Sequence, residues 1–431
     1  MAHGWLPSPS AAAARRVRRK GPAVSGPAAA GEPPWQPPSA VEQALYEAGS
    51  AGDWDAYFAA LAGTDLYLPQ SREFSDAVPD RFRPEPFRDP RFDGLCVAAF
   101  TRGMVPPPAG GRIFERATLR TLAKIWPQPV RWLAVNPGTP VETYLPADPK
   151  RWKRHAKRAP EEPRLKTLWT GHVRDAMAHG LACGALLMVN NGALWNHLGW
   201  QHGGYTEEKT LLKTWWDVTR RDDWLHLTSL LLRGELSPPV WEFVLRVRQA
   251  MRADSGVLPA AAQWRDTAER VMVSRAAQVV DATGQPPGFD LHADIALVQE
   301  LIGRVLRYEA RFRADGLLAE GECVRSVLAW DIGRGSCMAR WGLGAQLCDL
   351  DETRQAVLSA GAAARQVYSS WGDFAAGYVL GRCLHFDSEE FGSWYTEMVD
   401  VHRLLTTDPE SPWLSVPWYV DEQPPAGPAR A

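Results

Sequence analysis

The sequence predicts an α+β protein, with a small α+β N-terminal domain followed by a larger all-α helical domain. Three observations predict this. Between Leu66 and Leu145, short apolar runs alternate with Pro and Gly breakers, as short strands require. Beyond Leu168, apolar residues recur at helical spacing almost without interruption. Residues 1–38 are Ala, Pro, Gly and Arg with almost no core-forming side chains, and 406–431 are again rich in Pro. Such a segment cannot bury enough apolar area to offset its ordering entropy, so 1–38 is expected to be a disordered tail and 406–431 a loose one.

The first helix is expected at Ser39, where Ser39 and Glu42 have the spacing of a capping box. A second short helix carries Trp54, Tyr57, Phe58 and Leu61 on one side. Candidate strands are 95–100, 130–135 and 141–145, with one helix near 118–125, so that 39–149 form the α+β domain. Segment 150–168 is basic and flanked by Pro, and it reads as an interdomain linker. From 169 to 405, nine or ten helices are expected. Ile295, Val298, Ile302, Val305, Tyr308 and Phe312 trace one face of a long one. Ser237 followed by Pro238 predicts an N-cap with Pro at the first helical position. Asp349 with Glu352, and Asp387 with Glu390, have capping-box spacing with Asp as the cap.

Composition narrows the function classes. The 431 residues carry a net charge of −2, yet 1–166 hold 24 Lys and Arg against 17 Asp and Glu. The positive excess is concentrated in Arg15–Lys20 and Lys150–Lys166. Both runs lack interleaved aromatics beyond Trp152, so they read as solvated segments and nucleic acid is not an expected partner. No apolar run is long enough to cross a bilayer, and the first basic run is followed by GPAVSGPAAAGEPP instead of an apolar leader core. The six Cys form no CxxC pair and fall in apolar stretches, as expected of small buried hydrophobes in a reducing cytoplasm.

Familiar catalytic motifs are missing. The chain has no P-loop, no complete GxGxxG, no HExxH, no GxSxG and no EF-hand loop. His172 with His179, and His197 with His202, lack a third ligand at metal-site spacing, so no metal or cofactor is expected. Ser370, Asp373 and His385 could be drawn as a hydrolase triad, but neither a nucleophile elbow nor an oxyanion hole accompanies them.

Two segments stand out. In VLAWDIGRGSCMARWGLGAQL (327–347), a helical wheel places Val327, Trp330, Arg334, Met338, Trp341 and Ala345 on one face, with Arg340 on the flank. Arg334 is thus embedded in an apolar stripe, and Asp331 at i−3 is its nearest partner. In YSSWGDFAAGYVLGRCLHF (368–386), Trp371, Phe374, Tyr378, Arg382 and His385 share a face, and Gly377 and Gly381 allow another backbone to come close. Either Asp331 ties Arg334 and Arg382 into a structural network, or three arginines against one carboxylate leave positive charge for an anionic ligand. The candidate ligand-binding set is Trp330, Asp331, Arg334, Arg340, Trp341, Ser370, Trp371, Tyr378 and Arg382.

Trp330, Asp331, Gly333, Arg334, Arg340, Trp341 and Gly342, followed by SSWxxFxxxYxxGR from Ser369 to Arg382, resemble the bacterial domain of unknown function 1266, which also includes the YbeU and YbeR proteins. The resemblance covers about 180–405 and includes WWDVTRRDDWLHLTSLLL at 215–232. After the final Gly-Arg, this chain has Leu384, His385 and Phe386 where the family pattern suggests an aromatic. Residues 41–149, with Asn136-Pro137-Gly138 after a strand, resemble the N-terminal domain of SseB-like proteins. Neither resemblance implies an agreed activity. Two expectations follow: a non-catalytic protein–protein interaction module with an unidentified protein partner, supported by twenty Trp, or a helical domain that binds or acts on a small anion at the Arg/Trp cluster.

Overall fold

The computed structural model describes residues 35–77, 84–109, 111–160, 163–171, 174–199, 204–285, 288 and 290–420. The tail at 1–34, the end at 421–431, His172 and His202 lie outside the described residues. The chain forms two compact units. One comprises the described residues up to Ser71 and those from 84 to 160; the other comprises Arg72–Ala77 and those from 163 onward.

In the first unit, α1 (Ala40–Ala51) is capped by Ser39, whose hydroxyl accepts from Val41 N. Glu42 does not close a capping box on the N-cap backbone. Its buried carboxylate accepts from Ser39 Oγ, Thr101 Oγ1 and Gly103 N instead. α2 (Trp54–Ala62) buries Tyr57, Phe58 and Leu61. β1 (Leu66–Ser71) runs antiparallel to β4 (Arg112–Ala117). Pro69 interrupts the alternation of β1, which is why that strand is not evident from periodicity. A four-stranded sheet has the order β2 (Pro86–Arg88), β3 (Leu95–Ala99), β5 (Trp132–Val135), β6 (Thr143–Pro146), with β3 and β5 parallel. α3 (Arg72–Ala77) belongs to the second unit, whereas α4 (Leu119–Ile125) belongs to the first. Asn136, buried at a left-handed φ of 49°, accepts from Thr101 N at 2.7 Å and so anchors the turn after β5.

The linker expected at 150–168 is a helix over its first half. α5 (Pro149–Ala156) is capped by Asp148 and buries Trp152 and Ala156 in the first unit. Lys150, Lys153 and Arg154 are exposed, whereas Trp152, His155 and Ala156 are buried, so charge density hid an amphipathic helix.

The second unit is helical: α6 (Ala176–Cys183), α7 (Ala185–Asn190), α8 (Tyr205–Trp216), α9 (Arg221–Arg233), α10 (Pro239–Ser255), α11 (Ala261–Thr283), α12 (Leu291–Ala314), α13 (Leu328–Gly344), α14 (Leu350–Val367), α15 (Trp371–Phe386), α16 (Ser393–Thr407) and α17 (Pro412–Ser415). Among the described residues, ten of these lie wholly within 169–405, with Gly184 dividing α6 from α7, and α16 runs on past that boundary to Thr407. Segment 406–420 is not loose. Trp413, Val416 and Trp418 are buried, and Trp418 Nε1 donates to Tyr368 O at 3.0 Å.

α13 is the axis of this unit, packed against α6, α7, α8, α9, α14 and α15. It is buried on every side, Arg340 included, so the one-face pattern expected from the wheel does not hold. Its neighbours approach because glycines admit them. A Cβ on Gly342 would lie 2.1 Å from Trp224 Nε1, and one on Gly381 of α15 would lie 2.4 Å from Trp330 Cβ.

Two capping assignments differ from expectation. Pro238 is the N-cap of α10, and the Ser237 hydroxyl is turned to Asp331 instead. Asp387 ends α15, and its carboxylate accepts from Tyr308 Oη, Phe391 N and Gly392 N. The Asp349–Glu352 capping box at α14 is present.

Candidate functional site

The site is built from α13 outward. Asp331 is fully buried, and Oδ2 accepts from the backbone N–H groups of Leu236 and Ser237 at 3.1 and 2.9 Å. Oδ1 accepts from Ser237 Oγ at 2.7 Å and from Arg334 Nη2. A buried carboxylate with this many donors is compensated as an anion. Arg334 Nε donates to Trp330 O at 3.0 Å, and the guanidinium carbon lies 4.1 Å from the Trp330 ring and 5.4 Å from that of Trp216. Burial pushes Arg334 below its ordinary pKa, and Asp331 opposes that shift.

Arg382, on α15, is buried on the same side. Its Nε donates to Trp394 O at 3.1 Å, its Nη2 to Glu397 Oε2 at 3.4 Å, and its guanidinium carbon lies 4.9 Å from the Trp394 ring. Phe386 and Trp394 stack at 4.4 Å. Among the described residues, neither arginine has a partner for Nη1. The network in which Asp331 ties both arginines does not form, because Asp331 is consumed by Arg334 and the turn before α10.

Both arginines line a cleft of about 560 Å³. Five tryptophans (215, 216, 330, 341 and 394) form much of its wall, with Asn190, Asn191, Glu208, His385 and Glu397 supplying polar edges. Such a volume, mainly apolar with a few convergent polar groups, is the usual form of a small-molecule site. His385 is pushed below its ordinary pKa, mainly by burial and then by Arg334, and is therefore largely neutral at pH 7.

Arg340 lies behind the wall. It is fully buried and donates to three carbonyls: Nε to His197 O at 2.9 Å, Nη1 to Trp195 O at 3.3 Å, and Nη2 to Leu194 O. Burial lowers its pKa to about 10, with Glu208 raising it. Arg340 thereby pins the chain that follows the lining residues Asn190, Asn191 and Ala193.

Of the residues singled out from the sequence, Trp330, Arg334, Trp341 and Arg382 meet in the cleft, while Asp331 and Arg340 support it from behind. Ser370, Trp371 and Tyr378 are not among its lining residues. Ser370 caps α15 through Asp373 N, and Trp371 packs against Trp413 and Trp418. Tyr378 lies edge-on to Trp330 and has no hydrogen-bond partner for its buried hydroxyl among the described residues. Ser370 and His385 stand at opposite ends of α15, about 22 Å apart at 1.5 Å per residue, so the drawn triad does not assemble. His179 is a core residue against Trp371, and burial lowers its pKa to about 4.

The anion count also changes. Arg334 has Asp331, Arg382 has Glu397, and Arg340 has the field of Glu208. The last two carboxylates come from α8 and α16, far away in sequence, so three arginines do not face a single carboxylate. Sequence reasoning missed Glu208, Trp394 and Glu397. The doubled Trp215-Trp216 was the available signal for that wall.

Among the described residues, no group of three His, Cys, Asp or Glu could hold a metal ion, and no helix is long and apolar enough to cross a membrane. No curated protein and no solved structure matches the chain. Residues 211–418, which include most of the cleft wall from Leu211 to Glu397, match the model of a family described as a protein of unknown function (DUF1266), in support of the resemblance of the helical region.

Proposed function

We propose that the helical unit binds a small, flat organic molecule in the tryptophan-lined cleft. The observation that carries this is the meeting of Arg334 and Arg382 in one open cavity of about 560 Å³, each arginine stacked on a tryptophan. Indole faces take a flat ring by offset or edge-on stacking, and the guanidinium and amide edges hold its polar rim. The role is one of binding; no nucleophile is assigned.

Tryptophan abundance is weaker support for a protein–protein module, because Trp152, Trp224, Trp264, Trp371, Trp413 and Trp418 are buried in the cores of the units. The setting we propose is a bacterial cytoplasm, in keeping with six free cysteines, five of them buried. The YbeU/YbeR-like and SseB-like relationships are part of the same proposal, the latter on the anchored Asn136 turn.

The experiment is a calorimetric and tryptophan-fluorescence screen of the full chain against flat fragments such as naphthalene carboxamide, quinoline and adenosine. Saturable binding that Trp330→Ala weakens while the protein stays folded is expected. No saturable binding by any fragment would overturn the reading.

A further inference from the structure

The three arginines around the cleft are neutralised in unequal ways. Asp331 is fully buried and fixed by two backbone donors, Ser237 Oγ and Arg334. Arg340 is fully buried and held by three carbonyls. The Arg382–Glu397 pair is different. The arginine side chain is 4% exposed while that of Glu397 is 49% exposed, and their contact is a long 3.4 Å. Glu397, half in water and in a long contact, can be exchanged for another anion at small cost, while the buried Arg382 keeps its need for a negative partner. Asp331 cannot be exchanged in this way, because its departure would also leave two backbone donors and Ser237 Oγ unpaired.

We infer that Arg382 is the anion-recognition point of the cleft, and that Glu397 is an internal stand-in which a ligand's own carboxylate displaces. This rests on the small-molecule reading of the cleft and names its ligand class: a flat aromatic ring bearing one negative charge. The ring lies among Trp330, Phe386 and Trp394, and the carboxylate takes two donors of Arg382, Nη1 and the Nη2 released by Glu397. One exchangeable cation matches one negative charge. A phosphate dianion would bring a second charge into a cleft that also contains Glu208.

The test is isothermal titration calorimetry of the full chain with 2-naphthoate, its neutral isostere 2-naphthamide, and 2-naphthyl phosphate. The wild-type protein should prefer naphthoate to both others. Glu397→Gln should tighten naphthoate about three- to fivefold, the value of a competing half-exposed pair, with naphthamide unchanged. Arg382→Gln should weaken naphthoate about tenfold or more and abolish its advantage over naphthamide. Naphthamide and naphthoate binding equally to wild type and to Glu397→Gln would overturn the assignment of Arg382 and leave the small-molecule reading standing. Preference for the phosphate would overturn the single-charge class. If no naphthalene binds to either folded protein, the aromatic-acid class is overturned, and the wider fragment screen decides the cleft separately. Glu397→Gln alters an exposed side chain, so it reports even if Arg382→Gln fails to fold.

Discussion

Ser237 Oγ donates a 2.7 Å hydrogen bond to Asp331 Oδ1 across 94 positions of sequence, joining the turn before α10 to the central helix α13. That bond explains two things together. Ser237 does not cap its own helix because its hydroxyl is taken, and Asp331 holds Arg334 rigidly because its other lone pairs are filled.

Asp331→Ala should therefore destabilise the protein by about 3–5 kcal/mol, since it strands a buried guanidinium and frees two backbone donors. Urea unfolding followed by far-ultraviolet circular dichroism measures it. An unchanged midpoint would show that Arg334 is compensated by something other than Asp331.

Gly342→Ala tests the close approach of α9 to α13. Its Cβ would lie 2.1 Å from Trp224 Nε1, which itself donates to Met338 O at 3.0 Å. Overpacking of this kind typically costs about 1–3 kcal/mol, and the lost indole hydrogen bond adds to it. Thermal unfolding should shift down, with a blue or red shift of buried tryptophan emission accompanying it.

Arg340→Lys should not be conservative. A planar guanidinium reaches the carbonyls of Leu194, Trp195 and His197 together, whereas an ammonium on a thinner stem serves fewer of them. Orphaned buried carbonyls cost about 1–3 kcal/mol each, so a loss of about 2 kcal/mol or more is expected. The affinity of cleft ligands should fall as well, because the wall after Asn191 loosens. Comparing unfolding midpoint with fragment affinity separates the two effects.

Acid should destabilise the helical unit in a window set by histidine. Burial lowers both His179 and His402 to about 4. The unfolded chain, with histidine at its ordinary 6.5, binds more protons than the folded chain between these values. Stability is thus fully present above pH 6.5 and falls as pH drops toward 4, by up to about 1.4 kcal/mol per pH unit for each group. Urea midpoints at pH 7, 5.5 and 4.5 should decline, and His402→Gln should flatten the slope. A flat profile in the wild-type protein would refute the assignment.

Much of the fold was legible because it follows from local rules. The periodicity of Val298, Ile302, Val305, Tyr308 and Phe312 marks the buried face of α12, and the strands 95–99, 132–135 and 143–146 stand between breakers. α5 and the end at Trp413 and Trp418 were not legible, since charge in the one and Pro in the other mask a few deeply buried indoles.

Sequence alone determined that arginines lie within aromatic helices, that Asp331 is the near partner of Arg334, and that a small sheet-and-helix region is followed by a largely helical one. Only the tertiary structure decided that Arg334 and Arg382 open on one cleft, that Arg340 is spent on carbonyls, and that Glu208 and Glu397 restore charge balance. The physical reason is reach. A helix exposes in its own sequence only partners three or four residues away, whereas a buried charge is answered by whichever helix packs beside it, here α8 and α16, and packing is not written in any local period.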